Sequence, residues 1–193
     1  MKNTLLALSA AIGALCTALP AHAVTLESAT LNGNLLDSSF STPSLIALDL
    51  TMENHASLRF TFTVDAGDIA AGSAAFNSVL RDVSGLGFGS LTIDYDRVSL
   101  IIPPGSLRAS TVDGDLLESN HFAGATVTEF YFGNPFEEDG VSDWVIGFAG
   151  LNAGDRFTLG IATTPAVPEP DDWAMMLAGL GMIALSAARR IGR

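Results

Sequence analysis

The chain has 193 residues, with 21 acidic side chains, 9 basic ones and a formal net charge of −12. This length accommodates one ordinary domain once the terminal segments are set aside. An acidic protein repels phosphate backbones, so the composition argues against nucleic acid as a partner.

The first 23 residues have the features of a secretory signal peptide. Lys2 precedes an apolar run at residues 5–15, and Ala21-His22-Ala23 has the small-x-small pattern of a cleavage site. We therefore expect cleavage after Ala23 and a mature chain that begins at Val24. An uncleaved anchoring helix is the alternative, but the run is short and is followed by Pro20.

The only cysteine, Cys16, lies inside this signal. It follows Leu15, whereas a lipoprotein signal has a small residue before its cysteine, so we expect no lipid anchor. The mature domain then contains no thiol, and its stability must come from packing and not from disulfides.

Residues 24–162 are predicted to form an all-β domain. Apolar and polar side chains alternate most clearly at residues 57–65, where Leu58, Phe60, Phe62 and Val64 fall on one face. The other predicted strands are residues 24–31, 45–52, 91–95, 98–102, 125–132, 144–148 and 156–162. About eight strands of this kind predict a β-sandwich or a jelly roll.

Two connections in this domain have their own predicted structure. Residues 53–56 are short enough to join strands 45–52 and 57–65 as a hairpin. One short helix is predicted from apolar side chains at i, i+3, i+4 and i+7, with a possible cap at each end. The apolar positions are Phe76, Val79, Leu80 and Val83, and the caps are Ser73 and Gly85.

The C-terminal region divides into three segments. Residues 163–172 are a Pro-rich linker that contains Val167-Pro168-Glu169-Pro170, and its prolines disfavour helix and sheet. Residues 173–188 carry no charge, and 189–193 hold three arginines. Sixteen helical residues span roughly 24 Å, somewhat less than a hydrocarbon core of roughly 30 Å.

This apolar segment is nevertheless predicted to be a transmembrane helix. Trp173 can lie at one interface while Arg189, Arg190 and Arg193 extend into the other, and local thinning of the bilayer covers the shortfall. Basic residues on one flank favour the cytoplasmic side, which places the domain outside. A buried core helix is the alternative, although three arginines beside an apolar terminal helix do not favour it.

The tail resembles the PEP-CTERM sorting signal, a tail that has also been labelled an ice-binding protein C-terminus. Val167-Pro168-Glu169-Pro170, the apolar stretch from Trp173 and the basic end match its order and spacing over residues 167–193. The resemblance implies that an exosortase, a membrane-embedded processing enzyme, recognises Pro168, Glu169 and Pro170 at the inner membrane. It also implies a bacterium that makes exopolysaccharide, and a final location at the cell surface or beyond it.

The mature chain contains no recognisable catalytic set. It has no cysteine nucleophile and no Gly-x-Ser-x-Gly motif, and its two histidines, His55 and His121, lack a second ligand at metal-binding spacing. We expect both histidines to be solvated loop residues. The sequence therefore predicts a protein that is not an enzyme and needs no cofactor.

Calcium is the one metal that the sequence suggests. Clustered carboxylates on turns suit this cation, and extracellular sites can be weak. The candidate ligands form two groups, and Asp143 lies close to the second. The first group is Asp113, Asp115 and Glu118, and the second is Glu137, Glu138 and Asp139. Ordinary solubility of an acidic surface explains the same residues without a metal.

Two classes of function remain open. One is a non-enzymatic surface or matrix protein that associates with exopolysaccharide. The other is a carbohydrate-binding or ice-binding module, which would present aromatic side chains or rows of threonine on a flat face. Phe130, Tyr131 and Phe132 occupy both faces of one predicted strand, and Thr61 with Thr63 makes a single step of a possible row.

Overall fold

The structure is a computed structural model that describes residues 24–117, 126–136, 143–166 and 175–183. The predictions for the signal peptide, including Cys16, Ala21 and Ala23, fall outside these residues, as does the prediction for His121. The described chain is mostly β, as the alternation predicts.

The described residues contain twelve strands, one short helix after the fourth strand, and a helical segment at 175–183 that we call α2. The elements in chain order are β1 (Thr25–Thr30), β2 (Leu35–Asp37), β3 (Leu45–Met52), β4 (Leu58–Thr63), α1 (Ala66–Ala71), β5 (Ser73–Asp82), β6 (Phe88–Asp96), β7 (Ser99–Ile101), β8 (Leu107–Thr111), β9 (Leu116–Leu117), β10 (Val127–Phe132), β11 (Trp144–Gly147) and β12 (Arg156–Pro165).

The strands form one curled, mixed sheet. Strands β1, β4, β12 and β6 follow one another in antiparallel order. Strand β5 is central to the rest, because it pairs with β3 in parallel on one edge and with β11 and β10 on the other. Strand β10 continues to β8, and the pair Val127 and Phe88 joins it to β6. The curl brings apolar side chains from both regions into one core.

Aromatic rings dominate that core. The Trp144 ring contacts Phe132 edge-on, with centroids 5.1 Å apart, and lies 5.9 Å from Phe76. Phe62 and Phe157 stack at 5.0 Å. A remaining cavity of about 10 Å³ has room for about one water molecule, and it is too small for an organic ligand. Its lining is apolar and consists of Leu48, Phe60, Phe76, Ile93, Leu100, Phe132, Trp144, Leu159 and Ile161.

The helix predicted around Phe76 is wrong, because Ser73–Asp82 form strand β5, and Val83 and Gly85 lie in the loop that follows it. Phe76, Ser78 and Leu80 alternate toward the core, while Val79 is also buried on the opposite face. A central strand that is buried on both faces loses its polar alternation, so its apolar positions can match a helical period by chance.

The short helix lies just before that strand instead. Helix α1 begins after Asp65, whose side chain accepts from the Asp68 amide at 2.8 Å while the Asp68 carboxylate accepts from the Asp65 amide at 2.8 Å. Gly72 ends it in the left-handed conformation with φ of 79°. The two acids three residues apart form a capping box, a signal that was present in the sequence.

The hairpin predicted at residues 53–56 is also wrong. Strand β3 pairs with β2 and β5, whereas β4 pairs with β1 and β12, so this connection crosses between two parts of the sheet. Buried Asn34 holds it in place, since its side-chain oxygen accepts from the amides of Glu53 at 2.8 Å and Asn54 at 3.0 Å.

Strand β12 continues beyond the predicted domain boundary. Thr163, Thr164 and Pro165 pair with β6, so the first residues of the predicted linker belong to the sheet. Across the described ranges, no helix combines the length and apolar character needed to cross a membrane, and the predicted span at 173–188 is described only at 175–183.

Candidate functional site

Many of the predicted site residues lie outside the described residues. These are Glu118, Glu137, Glu138, Asp139, Val167, Pro168, Glu169, Pro170, Trp173, Arg189, Arg190 and Arg193. Their predicted roles in calcium binding, sorting and membrane anchoring therefore stay predictions.

Of the proposed calcium ligands, Asp113 and Asp115 are described. They lie in the turn between β8 and β9, where the Asp115 amide donates a hydrogen bond to Thr111 Oγ1 at 3.2 Å. Asp143 accepts from the Asn77 side chain at 3.2 Å and from the Asn134 amide at 2.8 Å. Within the described ranges, no group of three or more acidic, histidine or cysteine side chains could hold a metal ion.

His55 is not the solvated turn residue that the sequence predicts. Its side chain is 10% exposed, and its ring lies edge-on to Phe88 with centroids 5.8 Å apart. Nδ1 is 3.0 Å from Thr163 Oγ1, and Nε2 is 3.4 Å from Ser84 Oγ. Ser84 Oγ in turn donates to Asp82 Oδ1 at 2.7 Å. These residues join the 53–57 connection, the loop after β5 and the end of β12.

The direction of this hydrogen-bond chain follows from its acidic end. Because the Asp82 carboxylate can only accept, Ser84 donates its proton to Asp82 and accepts from His55 Nε2. His55 Nδ1 then accepts from Thr163. A catalytic triad needs the serine and the acid at opposite ring nitrogens, whereas Nε2 faces both Ser84 and, at 3.9 Å, Asp82. These hydrogen bonds therefore have a structural role, because they hold three segments of the chain together.

The Asp82 carboxylate is the final acceptor of this hydrogen-bond chain. Burial alone would raise its pKa, but hydrogen bonds from Ser84 and the Gly87 amide, with the nearby His55, lower the pKa below its ordinary value of 3.8. A carboxylate whose pKa is depressed by folding stabilises the fold above its unfolded pKa. That contribution is lost as the pH falls through the lower, folded pKa.

We expect Asp82→Asn to reduce the free energy of unfolding at pH 7 by about 1–3 kcal/mol, because the new amide group opposes the Gly87 N–H. The difference from wild type should shrink as the pH falls through about 4 and below, where the wild-type carboxylate is also protonated. Urea unfolding at pH 7, 5 and 3 measures this. Exposed Asp94 on β6 provides a matched Asp94→Asn control, and a loss for Asp82→Asn that is equal at every pH would contradict the assignment.

A second cluster lies on the outward face of strands β3, β5, β10 and β8. Phe130 and Phe132 face the core, so Glu129 and Tyr131 face outward. The strand register places Asp49, Val79, Tyr131 and Arg108 in one row across the sheet. The next row contains Thr51, Arg81, Glu129 and Ser110. We call Asp49, Arg81, Glu129, Tyr131 and Arg108 the charged face.

Hydrogen bonds order the centre of the charged face. Arg81 Nε and the Tyr131 hydroxyl donate to the two different oxygens of Glu129. Burial and this contact with Glu129 raise the pKa of Tyr131 to about 12, so its hydroxyl remains a donor at neutral pH. Although burial would raise the pKa of Glu129, its bonds from Tyr131 and Arg81 lower it, and the carboxylate stays ionised.

The Tyr131 ring has an aromatic neighbour, Phe136, and a cationic neighbour, Arg108. The Phe136 ring lies edge-on to Tyr131 with centroids 5.2 Å apart, and it is 55% exposed. The guanidinium carbon of buried Arg108 is 5.8 Å from the centroid of the Tyr131 ring. Asp143 ties the segment after β10 to strand β5, because it accepts from both the Asn134 amide and the Asn77 side chain.

The opposite region of the sheet carries hydroxyl groups. Thr61 lies beside Ser28 and Thr158, and Thr63 lies beside Thr25, so the two threonines predicted as a single step belong to short rows. A bulge in β1 interrupts these rows, and the ion pair between Glu27 and Arg156 lies beside Thr63. A regular threonine lattice is therefore not formed across these strands.

No protein-family model, curated protein or solved structure matches this chain.

Proposed function

We propose that the chain is an exported, non-enzymatic surface protein, held at the inner membrane by its C-terminal helix and then processed by an exosortase at its Pro-Glu-Pro segment. Its domain associates with exopolysaccharide outside the cell. The observation that carries this proposal is the exposed apolar surface of α2, which directly follows the sorting segment in the sequence.

The exposure of α2 is high for side chains of this type. Six of its apolar side chains are between 50% and 77% exposed, namely Met175, Met176, Leu177, Leu180, Met182 and Ile183. A helix that is apolar on all sides is unfavourable in water and favourable in a bilayer. This surface, together with the arginines that follow, supports membrane insertion of residues 173–188.

The domain itself suits an extracellular location. We interpret the curled sheet as a β-sandwich, with β1, β4, β12 and β6 in one layer and β3, β5, β10, β8 and β11 in the other. Cys16 is the only cysteine of the chain and belongs to the predicted signal peptide, so the mature domain forms no disulfide. Its aromatic core provides the packing that stabilises it instead. The polar groups of the charged face favour polysaccharide as the ligand. Ice is the less favoured ligand, since the threonine rows on the other part of the sheet are short and interrupted.

Mass spectrometry of the protein recovered from the surface of its host tests the proposal. We expect a chain that begins at Val24 and ends near Pro170. A cytoplasmic or membrane-bound chain of full length would contradict export and processing. If residues 173–193 remain attached to the surface protein, the helix is a permanent anchor and the processing step is wrong.

A further inference from the structure

We propose that the charged face binds an uncharged polysaccharide, with Phe136 packing against a sugar ring while Arg81 and Glu129 hydrogen-bond to its hydroxyl groups. This inference rests on the proposed function, because export to the surface is what brings the face into contact with polysaccharide. It adds the binding site and the chemical class of the ligand.

The groups on this face match the chemistry of sugars. Each hydroxyl group can donate and accept a hydrogen bond, and the face supplies acceptors at Asp49 and Glu129 and a donor at Arg81. The C–H groups of a sugar ring pack on an aromatic face, and Phe136 provides an exposed one beside this network. Neighbouring strands are roughly 4.8 Å apart, a spacing comparable with the width of a sugar ring.

The network is already ordered before any ligand arrives. Glu129 is fixed by Arg81 on one oxygen and by Tyr131 on the other. The Arg81 side chain donates to Glu129 from Nε and is 52% exposed, so its guanidinium remains accessible to a ligand hydroxyl. Side chains that are held in place before binding lose little conformational entropy when the ligand binds.

The charges favour a neutral ligand over an anionic one. Asp37 lies opposite Asp49 on the neighbouring strand, and burial, with the charge of Asp37, raises the pKa of Asp49 although Arg81 partly opposes the rise. A uronic acid carboxylate at this position would face two further carboxylates. The chain as a whole carries −12, so a polyanion is also repelled at longer range.

The test measures binding of the purified full chain in mild detergent to three probes. These are a neutral glucan, polygalacturonate and the exopolysaccharide of the host. The variants are Phe136→Ala, which removes the exposed ring, and Arg81→Gln with Glu129→Gln, which removes both charges but keeps polar side chains. The matched control is Tyr95→Ala, because Tyr95 on β6 is 50% exposed and lies away from the charged face.

We expect wild type and Tyr95→Ala to bind the glucan, and each face variant to bind it at least about tenfold more weakly. Polygalacturonate should bind poorly, most of all at low salt, where repulsion between like charges is least screened. Equal glucan binding by wild type and the face variants would overturn the site. Preferential binding of polygalacturonate, or no binding of the glucan, would overturn the ligand class. Capture of the host polysaccharide by the face variants as well as by wild type also overturns the site, but leaves the proposed association intact.

Discussion

Replacing Trp144 with alanine is expected to lower the free energy of unfolding by about 3–5 kcal/mol, the usual cost of deleting a large buried aromatic side chain. Trp144 is 1% exposed and packs against Phe76 and Phe132 beside the small apolar cavity. The cavity would grow, because the side chains around a deleted group relax only partly into the space. Since small domains have about 5–15 kcal/mol of stability in total, this variant should be close to unfolding.

Trp144→Phe separates packing from hydrogen bonding at this position. The indole Nε1 donates to the Ser106 carbonyl at 3.2 Å, but that carbonyl also accepts from the Gly133 amide at 2.8 Å. It therefore keeps a partner in the phenylalanine variant, which should lose only about 1–2 kcal/mol. Urea unfolding of residues 24–166 measures both losses. Equal losses for the two variants would show that the hydrogen bond, and not the ring volume, dominates.

The strands that the sequence predicts best are those with one buried face. The residues of β4 alternate regularly, as does the second half of β3 from Leu48 to Met52, so their positions follow from period two alone. Strand β5 could not be found in this way, because Val79 is buried beneath the charged face while Phe76 and Leu80 are buried in the core. The residues that cover the Val79 face of β5 are distant in sequence, so a local sequence pattern cannot show that this face is buried.

The same limit explains how far the charged face could be anticipated. Glu129 and Tyr131 alternate with two phenylalanines in a predicted strand, so the sequence alone predicts that both side chains point outward. The apolar spacing of residues 76–83 places Arg81 in a helix, whereas its actual position beside Glu129 depends on the pairing of β5 with β10. His55 shows the same effect, since its partner Thr163 is 108 residues away in the chain.

The largest effect on cellular behaviour is expected from the sorting segment. We predict that Glu169→Ala with Pro170→Ala leaves the mature chain in the inner membrane, with surface protein reduced by at least about tenfold. The physical reason is that different segments of the tail would carry insertion, orientation and recognition. We expect the apolar segment still to insert and the arginines still to set its orientation, whereas the segment that the processing enzyme would recognise is changed.

Fractionation of the host cells with an antibody against the domain measures this, and the mass of the retained form shows whether residues 173–193 are still present. Asp171→Ala with Asp172→Ala is the matched control, because it alters two residues next to the motif and leaves Pro168, Glu169 and Pro170 unchanged. We expect the control to reach the surface at the normal level. If the motif variant also does so, Glu169 and Pro170 are not the recognition residues, and the resemblance to a sorting signal has no functional consequence in this chain. If both variants are retained, the acidic flank contributes to recognition as well, because Asp171 and Asp172 directly follow the motif in the sequence.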